Sequence, residues 1–561
     1  MVDRHLRVPA DGTDHLDIVA KKMAKMQLCS QLISFDVLTV MKWDRMLSGN
    51  PGTWAIRTLA TLVMATALVT VSAWPQNESG ATRHVVVNFA ATDGHYKSLQ
   101  GVDGGPLPLF DHEFPPDAPA FLRWQPANAT LGYRAARIDL IRTHDSLGAG
   151  DIDARFGRLD ATPSARSADD IFPDMTADAS SPASYHFGPT DRLIASIVDL
   201  GADVIFRLGR SAGAQPDPPD PTQYAAIARH IVMHYNAGWA NGFHYGIKYW
   251  EVWNEPDLLK IFWSGTPAQF YALYDQVARA VKEADPTAQI GGPALSESWQ
   301  AGPYREGFLD YVRSHALPLD FFSWHHYSTD ANDPFDFVRI GNDIRQVLDR
   351  ANFTKTQSFV DEWNYGLVGR DLEATAMQRA AFVTSATLYM QSAPIDRSTL
   401  YRGDNIFGAK GDSPDKVGQA LILLGTMLDT PLRLRSTAGE QDGFALQAGR
   451  SADGRIVQVL ISNYQIPQFD RGPRPEGDVK HIPFLGDLRL FPRRNVRYAN
   501  QSGYDAAIEN LPAGDYLIKR YRISEAADFR LERAERQHTP VRIRSDLAAP
   551  GIEFVVVSRA D

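Results

Sequence analysis

Eight short apolar segments, each followed by a stretch with helical spacing, run through the middle of this 561-residue chain. The strand candidates are LQGVDGG (from Leu99), ARIDLIRTH (from Ala136), DVIFRLG (from Asp203) and KYWEVWNEP (from Lys248), then AQIGGPAL (from Ala288), DFFSWHHY (from Asp320), QSFVDEWN (from Gln357) and RSTLYRG (from Arg397). Runs such as PTQYAAIARHIVMHYNAG, TPAQFYALYDQVARAVKEADP and FDFVRIGNDIRQVLDRA separate them, with apolar residues recurring near i, i+3 and i+4. Eight strand–helix units over roughly 320 residues predict an α/β fold, a (β/α)8 TIM barrel, which spans about 250 residues before insertions. The first two units are the least regular. The stretch from Asp151 to Pro189, rich in Ser, Ala, Asp and Pro, reads as an insertion over the active face.

From about Gly418 the periodicity changes. GFALQAGR, GRIVQVLISNY, DYLIKRYRI and GIEFVVVS are strand candidates with turn residues between them, and they predict an accessory C-terminal β-sandwich. The strand HVVVNFA (His84 to Ala90) precedes the barrel and is expected to join that sandwich. The chain thus divides into an N-terminal tail with a hydrophobic segment (1–73), a lead-in strand (74–98), a barrel (99–416) and a sandwich (417–561).

Chemistry in such a barrel sits at the C-terminal ends of its strands. The fourth strand ends in Trp-Asn-Glu-Pro and the seventh in Asp-Glu-Trp-Asn, so Glu255 and Glu362, more than a hundred residues apart, converge over one face. Two facing carboxylates are the minimum equipment for cleaving a glycosidic bond. The sixth strand adds Ser323, His325 and Tyr327 at period two, hence on one side. The second strand ends in Arg142-Thr143-His144-Asp145 and the eighth in Tyr401-Arg402-Gly403-Asp404. Five strand ends carry polar, aromatic or charged residues that a barrel without a site does not need. Glu251, four residues deeper than Glu255, reads as a satisfied interior carboxylate. His326 reads as packing on a helix, and His230 and His234, which have helical i, i+4 spacing but no accompanying metal-site glutamate, read as surface or packing histidines.

At these residues the chain resembles glycoside hydrolase family 39 of clan A, the family of β-xylosidases and α-iduronidases. The resemblance rests on WEVWNEPDL, the HYGIKY run ahead of it, GGPAL, SWHHY and VDEWN, and extends over roughly Leu99 to Asn463. It implies that Glu255 is the acid/base and Glu362 the nucleophile. It implies also that Asn254 binds the sugar 2-hydroxyl, and that His144, His325 and Tyr327 line the subsite. Arg142 is expected to stabilise Glu362 as an anion, with Tyr327 donating to it, and Trp363 and Arg402 are expected at the substrate. The RTHD ending departs from the R-x-H-G found in family xylosidases, which leaves the sugar open. The expected activity is retaining hydrolysis by double displacement, most nearly of the β-xylosidase type. An endo-acting hydrolase of a bacterial exopolysaccharide and a catalytically silent carbohydrate-binding barrel are the alternatives. The partner is an oligosaccharide or polysaccharide, and no cofactor or metal is called for.

Composition narrows the field further. The formal charge of −10 is thinly spread, and no Lys/Arg run offers a nucleic-acid surface. With 44% hydrophobic and 10% aromatic residues the chain can build a large core and stack sugars on aromatic faces. Its one cysteine, Cys29, precludes an internal disulfide and a Cys-based metal site. Arg45 and Arg57 precede an apolar run from Leu59 to Val71 and a Val71-Ser72-Ala73 end, the pattern of a secretory signal cleaved after Ala73. Export to the periplasm or outside the cell is expected, with the Trp54–Trp74 segment either cleaved or kept as an inner-membrane anchor.

Overall fold

In the computed structural model the eight segments form a closed barrel of parallel strands. These are β2 (Gly101–Asp103), β3 (Leu140–Arg142), β4 (Asp203–Leu208), β5 (Tyr249–Val252), β6 (Gln289–Leu295), β7 (Phe321–Tyr327), β8 (Gln357–Asn364) and β9 (Arg397–Leu400). Each lies inside its predicted segment, and β9 returns to pair with β2. The structure describes residues 82–107, 128–144, 149–153, 169–211, 218–258, 262–328, 332–366, 374–403, 406–407, 414–438, 441–467, 473, 478–482, 486–496 and 503–560. The predicted signal or anchor segment lies outside the described residues, as do residues 154–168 of the Asp151–Pro189 stretch.

Helices α1 (Thr130–Ala136), α2 (Gly188–Leu200), α3 (Pro221–Ala237), α4 (Pro267–Ala284), α5 (Phe308–Ser314), α6 (Asp336–Arg350), α7 (Ala376–Met390) and α8 (Lys416–Thr426) accompany the strands. Several starts are written in the sequence. The side chains of Asp220, Thr266, Thr375 and Asp415 each accept a backbone N–H of the first turn, and Thr266 and Thr375 form reciprocal capping boxes with Gln269 and Gln378. Gly201 and Gly238 end α2 and α3 in the left-handed region that a β-carbon disfavours.

Inside the barrel, Leu140, Ile205, Tyr249, Phe321 and Phe359 form a buried apolar layer of their own. The rings of Tyr249, Phe321 and Phe359 meet at 4.5–5.9 Å. Two residues further along the same strands, the inward positions become Arg142, Arg207, Glu251, Ser323 and Asp361, all fully buried. Period-two alternation places these layers one above the other, so an apolar floor carries a charged storey toward the C-terminal ends.

The lead-in strand β1 (Thr82–His95) belongs to a nine-stranded sheet with β10 (Leu432–Ser436), β11 (Phe444–Arg450), β12 (Ile456–Asn463), β15 (Gly503–Glu509), β16 (Asp515–Ser524), β17 (Ala527–His538), β18 (Val541–Ser545) and β19 (Gly551–Arg559). β1 sits within it, antiparallel to β10 and parallel to β15. The sheet is continuous and folds over on itself. β18 ends the strand order, yet Arg520 of β16, near the other end, donates to the Arg544 carbonyl at 2.6 Å. Val87, Leu446, Val459, Ile508, Ile518, Ile543 and Val555 fill the space between. The sandwich is therefore one curled sheet rather than two separate ones. Its β11–β12 side docks on α7 through Ser385 to the Gly443 carbonyl, Tyr389 to the Phe444 carbonyl and Ser462 to the Ala381 carbonyl. Strands β13 (Val479–Ile482) and β14 (Gly486–Arg489) form a separate hairpin.

Candidate active site

The charged storey opens onto the face where Glu255 and Glu362 meet. A carboxylate oxygen of each and a ring nitrogen of His325 lie within 4.8 Å of one another. His325 Nδ1 is 2.7 Å from Glu255 Oε1 and 3.7 Å from Glu362 Oε2.

Glu255 stands just beyond β5 in a turn of unusual backbone. Trp253 and Glu255 have φ of +73° and +42°, a region costing about 1–3 kcal/mol per non-glycine residue unless the surroundings fix it. Here they do. Trp253 donates its N–H to the Leu208 carbonyl and its indole N–H to the Phe262 carbonyl, and the Glu255 N–H donates to the Ala294 carbonyl at 2.9 Å.

Glu362 lies on β8 at a bulge. β8 carries one residue more than its neighbours at this point, since Trp324 opposes Val360 while His325 opposes Glu362, and the pairing with β9 shows the same extra residue in β8. A bulge lets successive side chains leave the strict alternation. Asp361 and Glu362 therefore both reach the buried polar cluster, whereas Val360 and Trp363 face the helices. Tyr327 donates to Glu362 Oε1 at 2.7 Å. Burial and the Glu362 charge push the Tyr327 pKa well above its usual value, so the phenol keeps its proton.

Arg142 is the hub. Its Nε donates to Glu251 at 2.7 Å, Nη1 to Glu362 at 2.9 Å and Asp103 at 3.3 Å, and Nη2 to Asn254 Oδ1 at 2.6 Å. Burial works against its charge, but Glu251, Asp361, Asp103 and Glu362 outweigh burial and hold its pKa well above the ordinary value. Around it the carboxyls divide. Burial pushes Asp103 up, and burial with the neighbouring Glu251 pushes Asp361 up. Glu251 is buried too, yet Arg142 and hydrogen bonds keep it below the usual range. Burial and Arg142 lower the pKa values of His144 and His325 far enough to leave both rings neutral. The Glu255–His325–Glu362 spacing could also hold a cation, but Arg142 already delivers a positive charge to Glu362.

Most expected site residues come together. His144 Nε2 lies 3.5 Å from Glu362 Oε2, with its ring beside Phe262. Arg402 stands one layer out, its guanidinium carbon 5.9 Å from the Tyr401 ring, which in turn meets Tyr327. Trp363 is the correction. It packs edge-on against Phe337 of α6 and donates its indole N–H to Ser398 Oγ at 2.7 Å, fully buried between sheet and helices, so it does not line the substrate site. The cause is strand parity, which sends the residue after Glu362 outward. Glu251 is interior and paired, and His326 packs on Phe337, as expected. His230 Nδ1 donates to the Ala226 carbonyl of its own helix, and His234 stacks on Phe187. Asp103 and Asp361 were not expected in the site. The Asp-Glu pair at 361–362 was the visible signal, but strict alternation argued against both facing inward.

Comparison with known proteins adds a second line. The profile of Glycosyl hydrolases family 39 matches residues 222–399, a span that holds Asn254, Glu255, His325, Tyr327 and Glu362. A glucosidase structure from Croceicoccus marinus is 31% identical over 86% of this chain and 100% of that one, with a TM-score of 0.72. This chain belongs to glycosyl hydrolase family 39. Family 39 is a family of glycoside hydrolases, which makes a carbohydrate the class of substrate that membership implies. Beta-xylosidases of Caldicellulosiruptor saccharolyticus and Geobacillus stearothermophilus are 26% and 27% identical over 199 and 231 residues, 33% and 35% of this chain. The chain spans 38% and 44% of the length of those two relatives. A monomeric beta-xylosidase structure from Caulobacter crescentus, at 16% identity with TM-score 0.57 over 86% of this chain and 100% of that one, shares the fold of this family 39 member.

Proposed function

We propose that the protein is a retaining β-glycosidase of the β-xylosidase and β-glucosidase type, with Glu362 as nucleophile and Glu255 as acid/base. The observation that carries this reading is the approach of the two glutamates and His325 within 4.8 Å. Retaining enzymes hold their carboxyl groups about 5–5.5 Å apart, whereas inverting enzymes leave about 6.5–9.5 Å for a water. The beta-xylosidase relatives and the glucosidase from Croceicoccus marinus support a β-linked xylose or glucose as the sugar released.

In the first step a Glu362 oxygen attacks the anomeric carbon, the glycosidic C–O bond breaks, and the Glu255 proton moves to the departing oxygen. Arg142 and Tyr327 both donate to Glu362, which favours its anion before attack and again when it leaves. A neutral His325 adds no positive charge beside Glu255, where a cation would favour early loss of the acid's proton. In the second step a water attacks the same carbon, gives its proton to Glu255, and the Glu362 ester breaks. Asn254 accepts from Arg142 through Oδ1 and keeps a buried Nδ2 without a partner among the described residues, a donor suited to the sugar 2-hydroxyl. His144 and Arg402 complete the wall of this subsite.

The test is a panel of aryl β-glycosides with the first-formed anomer read by NMR. Initial release of the β-anomer supports the reading, and initial release of the α-anomer sinks it. Glu362→Ala should lose activity on every substrate by several orders of magnitude, and azide should then give an α-glycosyl azide. With Glu255→Ala, azide should give the β-azide. We also propose export, directed by the Trp54–Trp74 segment; activity confined to the cytoplasmic fraction of the native host would count against it.

A further inference from the structure

The stretch 489–494, which begins at the last residue of the β13–β14 hairpin, contacts the loop after β6 that supports the turn of the acid/base. The Arg489 N–H donates to Glu297 Oε1 at 2.7 Å, and its Nη1 donates to Gln300 at 2.6 Å. Phe491 inserts between the rings of Trp299 and His326, at 5.4 and 5.8 Å, with the Arg339 guanidinium 4.5 Å from its centre. Arg339 also donates to the Pro492 carbonyl, and Arg494 makes a two-pronged pair with Asp333 at 2.5 and 3.0 Å. Every one of these contacts joins residues far apart in sequence.

Two residues of this clasp, Arg489 and Phe491, lead to Glu255. Glu297 follows β6, and its N–H donates to Asp257 at 2.9 Å, while Ser296 donates to the same carboxylate through its N–H and hydroxyl. Asp257 lies two residues beyond Glu255, and the Glu255 N–H is tied to Ala294 of β6. The hydrogen-bonded path therefore runs from Arg489 through Glu297 and Asp257 into the turn bearing the acid. The second path is by packing. Phe491 presses on His326, whose chain neighbour His325 contacts Glu255 at 2.7 Å. A turn with two left-handed non-glycine residues keeps its shape only when its surroundings fix it. The nucleophile depends less on the clasp: Arg142 of β3 holds it from inside the barrel, and of its two donors only Tyr327 adjoins His326.

We propose that the 489–494 stretch is a positioning element for the acid/base glutamate, acting through Glu297–Asp257 and through His326–His325. This rests on the assignment of Glu255 as acid/base made above. The consequence is selective. Loosening the clasp should weaken proton donation more than nucleophilic attack, so poor leaving groups should suffer and activated ones should not.

The experiment compares kcat/KM for a 2,4-dinitrophenyl and a methyl β-glycoside of the sugar preferred in the aryl panel, in the full-length protein. Glu255→Ala provides the reference for complete loss of the acid. For Glu297→Ala and Phe491→Ala we expect the methyl glycoside to fall by about tenfold or more, because a small misplacement of a reacting group is costly. The dinitrophenyl glycoside should stay within about threefold of wild type, since its phenolate departs without help. Glu297→Gln keeps an oxygen to accept the Arg489 N–H and should restore most of the loss. A purely structural role would lower both substrates in proportion, and that result, or no loss on either, overturns the proposal. If Glu297→Ala does not fold, Phe491→Ala carries the same comparison from the packing side. If Glu255→Ala itself shows no dependence on leaving group, the acid assignment fails and the proposal with it. If Glu255→Ala discriminates and the clasp variants do not, the proposal alone fails.

Discussion

The floor and the upper storey of the barrel interior are built from the same strands, two residues apart, and do opposite work. The floor joins Leu140, Ile205, Tyr249, Phe321 and Phe359 in apolar contact. The storey above replaces them with Arg142, Arg207, Glu251, Ser323 and Asp361, where buried charge is tolerated only because each ion is paired or neutralised. Burying the floor stabilises the fold by about 25 cal/mol per Å² of apolar surface. Burying the storey costs stability and yields a fixed field around the two glutamates. A barrel of this kind holds up a destabilising polar site on a stabilising apolar base.

Breaking the storey at its hub should have the largest effect. Arg142→Met leaves Glu251 and Glu362 without their shared cation, so activity should fall by several orders of magnitude. Stability should fall as well, by about 3–5 kcal/mol, the usual penalty for orphaning a buried charge. Denaturant titration and kcat/KM measured on the same preparation check both; a stable, inactive variant would show that Glu251 finds another partner. Breaking the floor should give the complementary pattern. Phe359→Ala is expected to cost about 3–5 kcal/mol by opening a cavity, with kcat of the folded fraction close to wild type. If kcat collapses in that variant while stability holds, the two layers are not separable.

A finer cut removes one donor. Tyr327→Phe deletes the hydroxyl that donates to Glu362 and should lower kcat/KM by about ten- to hundredfold, since a hydrogen bond to a charged group contributes about 1.5–3 kcal/mol. An unchanged kcat/KM would mean that Arg142 alone holds the anion. The last effect is small in size and specific in sign. Burial and Glu251 raise the Asp361 pKa, so the folded protein keeps a proton that the unfolded chain releases above its ordinary value of about 3.9. That contribution is full below the unfolded value and is lost as pH rises toward the folded one. A carboxamide in place of this carboxyl has no proton to lose, so the melting temperature of Asp361→Asn relative to wild type should rise between about pH 5 and pH 8. A difference that is flat or shrinks with pH would show that Asp361 is ionised in the fold.

Much of this was legible beforehand, because the signals are local. Strand period, helix caps at Thr266 and Thr375, and the Asn-Glu-Pro and Asp-Glu-Trp-Asn endings all lie within a few residues. The parity rule correctly sent His326 outward and set His325 beside Glu255. The same rule, read without the bulge, hid Asp361, and the expectation of Trp363 at the substrate set it on the wrong side of the sheet. A bulge depends on what the neighbouring strands offer, which no single strand reveals.

The sequence by itself determined the eight-unit barrel, the two glutamates at the ends of the fourth and seventh strands, and the supporting roles expected of Arg142, His325 and Tyr327. The placements follow from periodicity and residue chemistry, which act over short stretches of chain, and the roles of the two glutamates and His325 from the resemblance to family 39. Only the tertiary structure decided which carboxyls of the interior share Arg142, which hold their protons, and that a stretch near residue 491 clasps the loops behind Glu255. Those outcomes depend on burial and on contacts between residues far apart in sequence, and a carboxyl's charge or a ring's partner is fixed only by what surrounds it in space.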